Sequence, residues 1–155
     1  YYDIFLNMMS SVAVGSGAVV VKNIGDSILV YYPSTMHSDK KPEFVSVLES
    51  LFKMINIRDS INAILSDNNL PEVSYRISCD YGAVMMADSS TSNTKDIFGS
   101  TVNYCTKINR IANPNQIVIG GDMYQAVKNI NGFAFTELKK QENSMNYSIY
   151  SVKRS

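Results

Sequence analysis

The sequence predicts an α/β (α+β) domain with a mostly antiparallel sheet flanked by helices. Three observations carry that expectation. Apolar residues recur at helical spacing in three stretches of the chain. Between them lie short apolar or alternating runs bounded by Gly, Asn, Asp and Pro, the pattern of strands and turns. Helices and strands intermingle from one end to the other without an internal repeat, which favours mixed layers over a bundle or a sandwich.

The 155 residues suit one domain, 1–155, long enough to bury a core. Hydrophobic residues make up 45% and charged residues 18%, a globular composition. Fourteen basic and fourteen acidic side chains cancel, so no global field favours nucleic acid or an anionic membrane. Cys79 and Cys105 show no metal spacing, which points to reduced thiols in a cytoplasmic protein. No apolar run reaches the length of a membrane span, and no signal-peptide pattern is present.

Tyr1 to about Val14 carries a helical stripe of Ile4, Phe5, Met8, Met9 and Val12, ended by Gly15-Ser16-Gly17. A hairpin follows, with strands at roughly 19–24 and 27–32 and a turn at Gly25-Asp26. Pro33 to Pro42 is a polar loop holding the single histidine, His37, read as solvated. Pro42 suits a helix start. From Phe44 the apolar residues Val47, Leu48, Leu51, Ile55, Ile61 and Leu65 predict one helix to about Ser66, stopped by Asp67-Asn68-Asn69 and Pro71.

Val73 to Asp80 and Ala83 to Ala87 read as a second hairpin turning at Gly82, followed by a polar loop from Asp88 to Lys95. Ser100 to Ala112 reads as a helix ended by Asn113-Pro114. Gln116 to Ile119 is a short buried strand. Asp122 to Lys128 is a short helix for which Asp122 is expected to be the N-cap. Phe133 to Leu138 and Tyr147 to Val152 close the chain as strands, joined by a charged turn around Lys139 to Asn143.

Two stretches hold the chemistry. In Val19–Pro33, VVVKNIGDSILVYYP, a carboxylate sits at a hairpin tip four residues after Lys22. Asp26 there can reach a divalent cation carried by a triphosphate, since Mg²⁺ prefers oxygen ligands and takes one or two carboxylates plus phosphates. In Asp96–Ala112, DIFGSTVNYCTKINRIA, Asn103 and Lys107 lie four apart on one helix face, and Arg110, read chiefly as solvated, continues it. Val102, Cys105, Ile108 and Ala112 take the buried side.

Together these stretches resemble the class III nucleotide cyclase catalytic domain, the adenylate and guanylate cyclase family. The first matches its K-x-x-G-D hairpin and the second its D-[IFY]-[FW]-G-x-x-V-N element, and the resemblance spans about Gly15 to Val127. It implies a ferredoxin-like class III cyclase fold. By the same resemblance Asp26 is a metal ligand, Lys22 and Asp96 select the base, Asn103 orients the ribose, and Lys107 stands where the family has arginine. Lys140 is the candidate triphosphate lysine.

Adenine accepts at N1 and donates from N6, so a lysine and a carboxylate match it, whereas guanine reverses both. The resemblance therefore implies ATP as substrate, with cyclic AMP and pyrophosphate as products. It also implies two Mg²⁺ or Mn²⁺ ions and a head-to-tail homodimer. In such a dimer one protomer supplies the metal aspartates, and the other supplies Lys22, Asp96, Asn103 and Lys107.

The family's other metal aspartate lies on a first strand of the type F-x-D-I-x-G-F. Asp3-Ile4 echoes it, but the helix and strand already placed between Asp3 and Asp26 leave no room for the elements that belong there. Asp3 is read as a helix surface residue, and the chain as an N-terminally truncated cyclase-homology domain. Lysine at 107 keeps the charge and loses the bidentate fork. Hence the alternative is a catalytically inactive cyclase-homology domain acting as a nucleotide-binding or regulatory module. A third reading is an unrelated α/β binding domain. Gly120-Gly121-Asp122 has the look of a diguanylate cyclase signature but precedes a helix, so it is read as structural.

Overall fold

A computed structural model describes residues 2–36, 41–88, 95–138 and 147–155. His37, Lys139 and Lys140, and the interior of the loop from Asp88 to Lys95, lie outside the described residues. The chain divides into two compact units, Tyr1–Ser74 and Tyr75–Ser155.

In the first unit, helix α1 (Tyr2–Gly15) buries Phe5, Leu6, Met9 and Ala13, while Asp3 is exposed in its first turn. Strands β1 (Val19–Ile24) and β2 (Ser27–Tyr31) form the expected hairpin, with Ile24 opposite Ser27 at its end. Gly25 takes φ +59° and Asp26 does not, the pattern of a type II′ turn, in which glycine fills the first position. The register shifts between Val20 and Lys22. That bulge tucks Val21 into the core and leaves Lys22 outside.

The long helix expected from Phe44 to Ser66 is two helices, α2 (Lys41–Asn56) and α3 (Arg58–Asp67). Ile57 sits between them at φ −77°, ψ −3°, off the helical ψ, yet its N–H still reaches Lys53 and its carbonyl still accepts from Ile61. Asn56, a weak helix former, and Asp59 at the new N-terminal turn mark the joint. The apolar period runs across the bend, which hides it from a reading of spacing alone. Leu48, Ile61 and Leu65 are fully buried, each worth about 1.5–3 kcal/mol of transfer free energy. Asn69 ends α3 in the left-handed region at φ 56°, and the Leu70 N–H bonds the Leu65 carbonyl.

The second unit differs from expectation in its strand pairing. The predicted hairpin between Val73–Asp80 and Ala83–Ala87 does not form. Strand β3 (Ile77–Cys79) instead pairs in parallel with β6 (Ile117–Gly120). Strand β4 (Met85–Asp88) pairs antiparallel with β5 (Lys95–Phe98) as a separate ribbon. Strands β7 (Phe133–Glu137) and β8 (Ile149–Arg154) complete a four-stranded sheet in the order β3-β6-β8-β7. β6 is buried along its whole length, so its continuous apolar run reads correctly as a central strand. Helix α4 (Ser100–Asn109) reaches this core through Ile108, which with Ala112, Val118 and Ile149 forms one buried cluster.

The turn from β6 into helix α5 (Gly121–Val127) is closed by an unexpected residue. Gly120, not Asp122, is the N-cap, and it makes no side-chain cap bond. The Met123 N–H donates instead to Asp80 Oδ1 at 3.4 Å, and the Asp122 N–H to the Tyr147 hydroxyl at 3.1 Å. A Cβ on Gly120 would lie 2.5 Å from the Asp80 carboxylate. We expect Gly120→Ala to cost about 1–3 kcal/mol, the usual range for overpacking. The cost should shrink in an Asp80→Ala background, and urea unfolding of the four proteins in that cycle measures the coupling.

Candidate active site

Each unit carries one of the two motif-bearing segments. In the first, the β1–β2 hairpin presents Lys22 and Asp26, both exposed. The Ser27 hydroxyl donates to the Ile24 carbonyl at 2.8 Å and closes the turn that holds Asp26. In the second, β5 and α4 present Asp96, Asn103 and Lys107 within one strand-to-helix connection. Lys140 lies outside the described residues.

Asp96 is half-buried opposite Ala87 on β4, and its Oδ1 accepts the Ile97 N–H at 2.8 Å, which fixes the carboxylate's orientation. Gly99 then turns the chain at φ 134°, a conformation side-chain-bearing residues rarely adopt, and its carbonyl accepts the Asn103 N–H at 3.1 Å. The Thr101 hydroxyl donates to the Ala83 carbonyl at 2.9 Å, tying the start of α4 to the chain before β4. Further along, Ser78 Oγ donates to the Cys105 carbonyl at 2.9 Å and Asn109 Nδ2 to Ser78 Oγ at 3.1 Å. With Ile108 buried beneath, α4 is held on one side and leaves Asn103 and Lys107 exposed. Arg110, its C-cap residue, is exposed as well.

Sequence reasoning assigned no role to Asp80 and Tyr147. The Tyr147 hydroxyl donates to Asp80 at 2.8 Å (Oδ2) and 3.0 Å (Oδ1), and the Tyr81 N–H adds a bond of 2.8 Å to Oδ1. The Tyr147 ring stacks on Tyr104 of α4, centroids 4.8 Å apart and planes 24° from parallel. The available signal was the glycine pair at 120–121 after a buried strand, which needs something bulky nearby to explain it.

Burial raises the Asp80 carboxyl above its ordinary 3.8, against the lowering effect of the Tyr147, Tyr81 and Met123 bonds, and the Asp122 charge adds to the rise. Burial likewise raises Tyr147, and pushes the Cys105 thiol up to about 11 and that of Cys79 further. Both cysteines are free, and both are poor nucleophiles at neutral pH.

Among the described residues no three His, Cys, Asp or Glu side chains gather to hold an ion. Asp26, at the hairpin tip, is an exposed hard oxygen ligand. That fits a metal delivered with a triphosphate better than a resident cage.

The model of the adenylate and guanylate cyclase catalytic domain matches residues 2–149, and the chain belongs to this family. The match reaches beyond the Gly15–Val127 span on which the motifs bear. No curated protein matches the sequence. Among solved structures, the adenylyl cyclase CyaB from P. aeruginosa is similar with a TM-score of 0.80 and 19% identity, covering 99% of this chain and 81% of that one. The dimeric guanylyl cyclase domain of the RhoGC fusion protein from Blastocladiella emersonii gives 0.79 and 17%, covering 99% and 81%. The catalytic core of a rhodopsin-guanylyl cyclase with converted specificity, in complex with ATPalphaS, gives 0.74 and 17%, covering 97% and 79%. At these identities the likeness carries the fold, a mixed α+β architecture of antiparallel sheets flanked by helices.

Asp80 makes its own pH signature. Its folded pKa is raised, so the folded state holds a proton that the unfolded chain releases. The resulting stabilisation is full below 3.8 and is lost as pH rises through the folded value. The stability of the wild type minus that of Asp80→Asn should therefore fall as pH increases over that window. Urea titrations at a series of pH values test it, and a flat difference would refute it.

Proposed function

We propose that this domain is an adenylate cyclase-type lyase, converting ATP to 3′,5′-cyclic AMP and pyrophosphate at sites shared by two copies of the chain. The observation that carries the reading is the presence of Lys22 on one motif-bearing segment and Asp96 on the other. Each lies on a segment whose local fold matches its motif, and together they offer the donor and acceptor that adenine needs. A site built on such bonds rejects guanine by leaving buried groups unpaired.

The ribose 3′-oxygen attacks the α-phosphorus, forming one O–P bond as the bond to the β-phosphate oxygen breaks. The 3′-hydroxyl proton leaves to solvent, and pyrophosphate departs. Asn103 orients the ribose, and Lys107 supplies positive charge toward the phosphorus as charge builds on its oxygens. Lys140 is proposed to neutralise the triphosphate. Asp26 would hold a divalent ion, two in all being required with a second carboxylate. When bound, the ions activate the attacking oxygen and neutralise the leaving group.

The β4–β5 ribbon supports the homodimer. Val84, Met85, Met86 and Phe98 are all exposed, with Met85 paired across the ribbon to Phe98. Apolar side chains exposed along the ribbon suit a second copy better than water. In a head-to-tail pair Asp26 and Lys22 serve opposite sites. None of the described helices is long and apolar enough to cross a membrane. Two free thiols suit a reducing compartment, and we place the domain in the cytoplasm.

One observation favours the second reading, a nucleotide-binding regulatory module without turnover. Lys107 offers a point charge where a planar fork would grip two phosphate oxygens. Incubation with ATP or GTP and Mn²⁺, with both cyclic nucleotides quantified, separates the readings. We expect cyclic AMP, lost in Asp26→Ala and raised about tenfold in Lys107→Arg. Mixing Asp26→Ala with Lys22→Ala protomers should restore one intact site per mixed dimer. Cyclic GMP would overturn the assignment of Lys22 and Asp96, and nucleotide binding without product would favour the regulatory module.

A further inference from the structure

Within the second unit, α4 is anchored at two places along its buried side. At one, Ile108 enters the core cluster and Ser78 bridges to Cys105 and Asn109. At the other, about one turn earlier, Tyr104 stacks on Tyr147, which packs against the same cluster. Tyr104 adjoins Asn103 in the chain and lies three residues, close to one helical turn, before Lys107. The stack therefore acts on the very turn that carries both candidate catalytic side chains.

Tyr147 is itself fixed at its far end. Its hydroxyl donates to both oxygens of Asp80, at 2.8 and 3.0 Å, and accepts the Asp122 N–H at 3.1 Å. Asp80 is in turn held by the Tyr81 and Met123 N–H groups. The glycine at 120 leaves room for this carboxylate, since any Cβ there would collide with it. A half-buried acid with this many donors is costly to bury and conveys position well, because every bond is directional.

We propose that Asp80, Tyr147 and Tyr104 are positioning residues for the cyclisation: as one chain of contacts they set the rotation of α4 and so aim Asn103 and Lys107. The inference rests on the cyclase reading above. None of the three touches substrate. Their effect falls on the transition state, where a small misplacement of an orienting group lowers the rate more than it lowers binding.

The test uses Tyr147→Phe, which keeps the ring and removes the bonds to Asp80, and Tyr104→Leu, which removes the stack. Tyr104→Phe serves as the conservative control. Both disruptive variants should lower kcat for cyclic AMP formation about tenfold with KM for ATP little changed, and Tyr104→Phe should restore the rate. In an Asn103→Ala background the Tyr147→Phe effect should largely vanish, because the residue being aimed is gone. Hydrogen exchange of the α4 amides should quicken in Tyr147→Phe, while β6 stays protected.

Unchanged α4 exchange, an unchanged rate, or a loss that adds fully to Asn103→Ala would each overturn the positioning role. Wild-type protein that binds ATP and forms no cyclic nucleotide would overturn the cyclase reading instead. The two failures are distinct.

Discussion

The constraint on which the second unit depends is the half-buried carboxylate of Asp80, placed where the parallel strands β3 and β6 end side by side. A carboxylate leaving water must recover its lost hydration through donors, or stay protonated. Here Tyr147, Tyr81 and Met123 provide them. Each donor fixes something else. Met123 sets the first turn of α5, Tyr147 sets the approach to β8, and through Tyr104 the same ring reaches α4. The glycine at 120 follows from the space the acid occupies. One charged group thus coordinates elements far apart in the chain.

The candidate site follows a different logic. Lys22, Asp26, Asn103 and Lys107 are exposed, and the backbone that carries them is held by local devices: a two-residue turn, a bulge, and a positive-φ glycine before α4. The rigidity lies beneath the functional groups rather than among them. That is the arrangement a nucleotide site requires when part of its surroundings comes from another copy of the chain. The side chains stay exposed, and the backbone under them is held by hydrogen bonds.

This division explains what could be read from the sequence. The hairpin at Gly25-Asp26 and the β5-to-α4 connection are encoded within a few residues, so the local structure around their motifs could be read from the sequence. The partner of β3 was not legible, because β6 lies some forty residues away and nothing local distinguishes a parallel partner from the next apolar run. The bend at Ile57 was hidden by an unbroken apolar period. Asp122 looked like an N-cap by position, yet the helix starts before it, and the Asp122 and Met123 N–H groups in its first turn donate to Tyr147 and Asp80. In that last case a long-range side chain displaced a local rule.

Lys107 is where fold and chemistry pull apart. The helix that carries it is anchored along its buried side by Ile108 and by the Tyr104–Tyr147 stack, so its location is well determined. Its side chain is a flexible four-carbon stem with a single charge. Arginine at this position would add two parallel donors and a fixed plane, and the helix's precision would pass directly to the phosphate. With lysine, much of that precision ends at the Cβ, and in the proposed site the remaining steering would fall to Asn103 and to a metal that Asp26 would hold. A well-aimed helix with a loosely aimed charge suits a slow cyclase, because charge stabilisation survives while orientation is partly lost. A nucleotide-binding module without turnover would need the adenine contacts proposed for Lys22 and Asp96 as much as an enzyme does, so Lys107 is the residue on which the two readings divide.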